Sequence, residues 1–134
     1  MGSGRMIILD THAWIWLVSE PEKLSKKAIE AIDYARKIGV CPISCWEIST
    51  KVANGKLQLD RSIDIWVEQA LARPRVKLME LTAEIAIMAG RIGKEGFHGD
   101  PADRIIVSTA IVHGAGLITK DRKIISFPKV QTIW

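Results

Sequence analysis

The sequence predicts an α/β protein: three layers, α/β/α, around a central, mostly parallel sheet of four to five strands. Short strand-like runs recur along the chain, and segments with apolar residues at helical spacing separate them. The first run, Met6-Ile7-Ile8-Leu9, is continuously apolar, as a strand buried on both faces requires. Strands that alternate with helices pack as a parallel sheet covered on both sides.

The elements follow in order. After the first strand, Asp10-Thr11 starts a short apolar helix over His12 to Val18, which Ser19-Glu20-Pro21 ends. Ser25 caps a second helix, in which Ala28, Ile29, Ile32, Ala35 and Arg36 fall at helical spacing. Gly39-Val40-Cys41-Pro42 reads as a brief strand, and Ser44 opens a third helix towards Asn54-Gly55. Ser62 to Ala72 is again helical and stops before Pro74. Val76 to Leu81 is the third strand, and Thr82-Ala83-Glu84 starts a helix to about Gly93. Lys94 to Gly99, set among Gly93, Gly96 and Gly99, is expected to be a flexible loop. Asp100-Pro101 opens a long helix to His113, then Gly114-Ala115-Gly116 breaks into strand Leu117-Ile118-Thr119. Val130 to Ile133 is the last strand.

The totals bound the function without naming it. The chain has 134 residues, enough for one core, and the expected domain is 6–134. Residues 1–5, Met-Gly-Ser-Gly-Arg ahead of Met6, resemble an appended leader rather than a signal peptide. A net charge of +4 and a pI near 9.2 mildly favour a polyanionic partner. No apolar stretch approaches ~18 residues, so no membrane span is expected. Cys41 and Cys45 have no second pair and no nearby His to complete a zinc site. They read as reduced, mostly buried thiols of a cytoplasmic protein.

The acids carry the chemistry. Asp10 follows the first strand, and Glu47 lies in the first turns of the helix after the second. Asp100 and Asp103 open the long helix, and Asp121 sits two residues beyond Thr119. All are expected at the carboxyl edge of the sheet, where open α/β folds bind ligands. Each also has a structural reading: Asp10 and Asp100 as helix caps, Glu47 as the i,i+4 partner of Lys51, Asp121 as a turn residue. Those readings do not explain the convergence. Gathered carboxylates raise one another's pKa unless a cation stands among them. Magnesium takes oxygen ligands and activates water for phosphodiester cleavage. Ser108 and Ser126 lack placed partners, so no serine nucleophile competes, and there is no glycine-rich phosphate loop.

Four stretches carry a resemblance. Ile8-Leu9-Asp10-Thr11-His12, Ile43 to Ile48, Asp100 to Val107 and Leu117 to Asp121 resemble, in order and spacing, the acidic motifs of PIN-domain proteins. The likeness is to VapC-type toxins and spans Met6 to Trp134. The resemblance implies a magnesium- or manganese-dependent endoribonuclease, the toxin of a toxin–antitoxin pair. In this reading Asp10, Glu47 and Asp103 are the core metal-binding acids and Asp121 is the fourth. Asp100 stays open between sharing the metal and capping the helix. The resemblance implies Thr119 as a polar residue near the site and Thr11 as a helper after the first Asp. Arg104 and Lys120, each adjoining a proposed ligand, join them as expected substrate-side residues. A metal-activated water attacking phosphorus directly would leave a 5′-phosphate. The family also implies an antitoxin segment over the acids, often with an inserted Arg or Lys, and a homodimer.

Lys51, Lys56, Arg104, Lys120, Arg122 and Lys123 lie beside or between the motifs, where they would hold flanking phosphates or simply form a solvated face. Of five tryptophans, Trp14, Trp16, Trp46 and Trp66 fall in helices, where core or dimer packing is expected over base stacking. Trp14 and Trp16 cannot share one helix side, which leaves one free for a partner chain. His113 is expected to interact with its helix end, and His12 to point away from a metal. A phosphotransfer receiver or a phosphatase would need acids that this chain lacks beside Asp10. An RNA-processing nuclease without a toxin role, or a non-catalytic RNA- or protein-binding module, are the alternatives; the small size favours the toxin.

Overall fold

The structure, a computed structural model, describes residues 5–134. The proposed leader falls, but for Arg5, outside the described residues. Five strands form one sheet: β1 (Met6–Leu9), β2 (Lys37–Val40), β3 (Val76–Leu78), β4 (Gly116–Ile118) and β5 (Thr132–Ile133). Their order is β3-β2-β1-β4-β5, and every pairing is parallel. The chain moves outward from β1 to one side, then returns to the other, so the topology reverses between β1 and β4. Parallel crossovers need intervening helices, and the helical segments supply them.

Strand alternation builds two cores. Ile7 and Leu9 point to one face with Ile38, Val40 and Ile118. There they meet α1 (Thr11–Ser19), α2 (Lys26–Tyr34), α3 (Pro42–Ala53) and α4 (Ile63–Leu71) through Ala13, Trp14, Ile32, Ile48 and Trp66. Ile8 and Leu117 point to the other face, against Ile106, Val107 and Ala110 of α6 (Pro101–His113). α5 (Ala83–Arg91) packs along α6. The expected three layers are therefore present. Gly39 is where the sheet leaves no room: a β-carbon there would stand 2.6 Å from Ile8 Cδ1 and 2.9 Å from Met79 Cγ.

Several boundaries differ from the sequence reading. α2 ends at Tyr34, short of Arg36, because Arg36 and Lys37 already donate their backbone N–H groups to Arg5 O at 3.0 and 3.3 Å. Arg75, in the left-handed region at φ 69°, closes that end from a distance. Its Nη1 donates to Ile32 O at 2.9 Å and to Ala35 O. α3 starts at Pro42 rather than Ser44, since proline at the first position has its φ preset for a helix. Lys94–Gly99 is not a free loop. Ile92–Glu95 makes a 3-10 turn, and buried Phe97 packs against Phe127 with ring centroids 5.3 Å apart. A short helix, α7 (Arg122–Ile125), escaped the sequence reading because four residues give no periodic signal.

Both cysteines are free, and burial pushes the Cys41 thiol up to about 11. Among the described residues, no helix is long and apolar enough to cross a membrane.

Candidate metal centre

Asp10 leaves β1 at its carboxyl end, and two backbone constraints fix it there. Its N–H donates to Ile118 O of β4 at 3.1 Å, and its Oδ1 caps α1 by accepting from Ala13 N at 2.8 Å. The side chain is buried, so its carboxyl is pushed above the usual range. Burial is the largest cause, Asp121 adds to it, and Thr119, Ala13 N–H and His12 oppose it. Thr119 is fully buried beyond β4, and its Oγ1 accepts from Asp121 N at 3.0 Å. Its own hydrogen is thereby free for Asp10.

Glu47 comes from α3 and is held by a hydroxyl pair. Thr11 Oγ1 donates to Glu47 Oε1, and Ser44 Oγ lies 2.8 Å from Thr11 Oγ1. Each hydroxyl has one hydrogen. If Thr11 gives its hydrogen to Glu47, Ser44 must be the donor to Thr11. Ser44 is fully buried and one helical turn before Glu47. The sequence reading used Ser44 only as a helix start; the i,i+3 spacing of Ser44 and Glu47 was the available signal.

Asp103 is the third residue of α6, and its N–H is capped by Asp100 Oδ1 at 2.8 Å. The Asp103 carboxyl is pushed up to about 7, first by burial and then by Asp100, Asp121, Glu47 and Asp10. Carboxylates from four parts of the chain thus lie near enough to act on the Asp103 charge. Asp121 caps α7, its Oδ1 accepting from Lys123 N at 2.8 Å.

Among the described residues, no group of three or more His, Cys, Asp or Glu side chains stands in a geometry that would hold a metal ion. The donor set nevertheless fits a hard divalent cation. It is made of carboxylates alone, which select magnesium or manganese over softer metals. The burial and repulsion that raise the Asp103 carboxyl to about 7 are what a cation among the acids would oppose. Asp10, Asp100 and Asp121 each have one oxygen engaged in a cap, and a carboxylate has a second.

The remaining candidates are placed as follows. Arg104 Nε donates to Gly99 O at 3.0 Å, and its guanidinium lies against Gly93, so this side chain ties down the loop before Asp100. Lys120 is exposed, with Nζ 5.9 Å from the Trp16 ring centroid. His12 Nε2 lies 3.3 Å from Lys51 Nζ. Trp14 is buried edge-on against Trp66 at 5.2 Å, while Trp16 is half-buried and Trp46 is 60% exposed.

The sequence profile of the PIN domain matches residues 7–130. Ribonuclease VapC22 of Mycobacterium tuberculosis is 35% identical over 130 residues, covering 96% of this chain and 98% of that protein. Among solved structures, DNA-bound VapBC of Salmonella typhimurium superposes with a TM-score of 0.69 at 16% identity, covering 96% of each chain. A toxin–antitoxin complex from Klebsiella pneumoniae gives 0.65 at 19% identity, covering 92% and 94%. At these identities the two structures speak for the fold alone.

Proposed function

The chain belongs to the PIN-domain family and to its VapC-type toxins, and from that premise we propose that it is a magnesium- or manganese-dependent endoribonuclease. The observation that carries this reading is the state of Asp103. Its carboxyl is held near 7 by burial and by four other acids, at the sheet edge where the topology reverses.

In this reading Asp10, Glu47, Asp103 and Asp121 hold the ion. When bound, it supplies charge to offset the phosphoryl oxygens and makes an attacking water more acidic. The chain's own groups set the stage. Thr119 steadies the Asp10 carboxylate with its hydroxyl hydrogen, and Thr11, backed by Ser44, fixes one oxygen of Glu47. Asp100 caps α6 and so orients Asp103. Lys120, exposed beside Asp121, meets a substrate phosphate. Arg104 acts one step back, by holding the Gly99 carbonyl. A direct attack on phosphorus would leave a 5′-phosphate product.

The Klebsiella pneumoniae relative is a toxin–antitoxin complex and the Salmonella typhimurium one a VapBC assembly on DNA. We extend the proposal to a cognate antitoxin like those in the names of these relatives, with a segment laid over the acids, and to a homodimer. The test is incubation with a mixed RNA pool in magnesium or manganese, in chelator, and with Asp10→Asn. Metal-dependent cleavage with 5′-phosphate ends, lost in the variant, is the expected result. Absence of both cleavage and metal binding in the folded protein would overturn the reading.

A further inference from the structure

Trp134 is the one tryptophan outside the helices, and the fold carries it to the edge of the acidic centre. Thr119 N donates to Ile133 O at 3.3 Å, so β5 delivers Trp134 beside Lys120 at the carboxyl end of the sheet. Its ring lies 5.8 Å from that of Trp16, tilted by 53°, and Trp16 in turn lies 5.8 Å from His12. Beyond Trp134 opens a cleft of about 600 Å³ lined by Lys120, Arg122, Ile125, Ser126 and Trp134. That volume falls within the roughly 300–1,000 Å³ of ordinary small-ligand clefts. The lining has two cations and no acid. Neither Lys120 nor Arg122 is in an ion pair among the described residues. Asp121, the fourth acid of the proposed metal centre, lies between these two cations in the chain.

We propose that this cleft is a nucleobase subsite for single-stranded RNA: one base next to the cut stacks on Trp134, and Lys120 and Arg122 hold the phosphates that flank it. The proposal rests on the nuclease reading for its substrate, but the cleft's chemistry stands apart from the carboxylates. A nucleotide combines a flat apolar ring with an anion, and this cleft combines an aromatic wall with unpaired cations. Stacking on an aromatic side chain is worth about 1–3 kcal/mol per base and tolerates any sequence. A paired base cannot offer its face, so the subsite selects unpaired RNA. The same arrangement gives Trp16 a role short of direct stacking. It backs Trp134 and keeps Lys120 over its own ring.

The test reads binding rather than cleavage. A short labelled single-stranded RNA and its duplex are titrated by fluorescence anisotropy in magnesium, against protein silenced by Asp10→Asn. Adding Trp134→Ala should weaken single-strand binding about tenfold and leave duplex binding unchanged, while Trp134→Phe restores most of the affinity. Because Trp134→Ala also removes the ring contact with Trp16, the unaltered protein is also photocrosslinked to 5-iodouridine RNA, and the adduct should map to Trp134. Equal loss for single strand and duplex, no loss at all, or an adduct confined to other residues would overturn the proposal and leave the cleft to a protein partner. Metal-dependent cleavage by the wild type, run in parallel, separates the two readings. Cleavage with an indifferent Trp134 rejects the subsite alone; stacking with neither cleavage nor metal binding rejects the nuclease alone.

Discussion

At Asp103 burial and four neighbouring carboxylates act in the same direction, and together they lift the carboxyl from 3.8 to about 7. A folded-state pKa above the unfolded one means that the folded protein holds the extra proton between about pH 4 and pH 7. Its contribution to stability is therefore complete below about pH 4 and is lost as pH rises through about 7. Asp10, raised mainly by burial, adds to the same trend. Thermal melts of the metal-free protein should accordingly show a falling Tm across that window. Asp103→Asn should flatten the fall and, at pH 7.5, stabilise the metal-free protein by about 1 kcal/mol. A Tm that rises with pH in chelator would contradict the electrostatic account. Thr11 works at the same scale. Thr11→Val keeps the shape but removes the hydroxyl that fixes Glu47, and partners of this kind are worth about 10–100-fold in metal affinity or activity. Thr11→Ser should keep most of it, as measured by metal titration and by cleavage rate.

Among the elements, the helix starts decide what the acids can do. Asp10, Asp100 and Asp121 are each the capping residue of a helix, so the site's charge and the helices' open N–H groups are satisfied by the same side chains. This allows the two roles of Asp100 to be separated. Asp100→Ser keeps a capping oxygen without the charge, whereas Asp100→Ala loses both, at about 1 kcal/mol. If capping is its whole part, the serine variant should keep wild-type cleavage and metal affinity while the alanine variant loses stability. A serine variant that folds normally but loses metal binding would make Asp100 a ligand. Asp10→Asn is informative for the same reason: asparagine still accepts from Ala13 N, so lost cleavage would report the lost charge rather than a broken α1.

Across the whole molecule, a sheet of five parallel strands brings acids from distant parts of the chain to one edge, in a chain of net charge +4. The concentrated negative charge is a local cost that a divalent ion would offset. Magnesium should therefore raise the Tm of the wild type, by an amount equivalent to about 2.7 kcal/mol when it is present at a hundred times its dissociation constant. Asp10→Asn should respond much less. Calorimetry over a magnesium series tests this directly, and an equal response from both proteins would place the bound ion elsewhere.

What the sequence determined by itself was everything that a short window can carry. The unbroken apolar run of Met6–Leu9 fixed a strand buried on both faces. Asp100-Pro101-Ala102-Asp103 fixed the start of α6 to the residue, and the order of acids after strands pointed to the carboxyl edge of the sheet. What only the tertiary structure decided were the partnerships between residues far apart in the chain. Thr11 meets Ser44 and Glu47 across 33 and 36 positions, and Arg75 reaches back about 40 residues to close α2. Phe97 anchors on Phe127, and Trp134 arrives beside Lys120. Periodicity and capping are local, because they depend on the geometry of one turn of helix or one pleat. Which hydroxyl reaches which carboxylate depends on strand register and crossover packing, and these are set only when the layers close on one another.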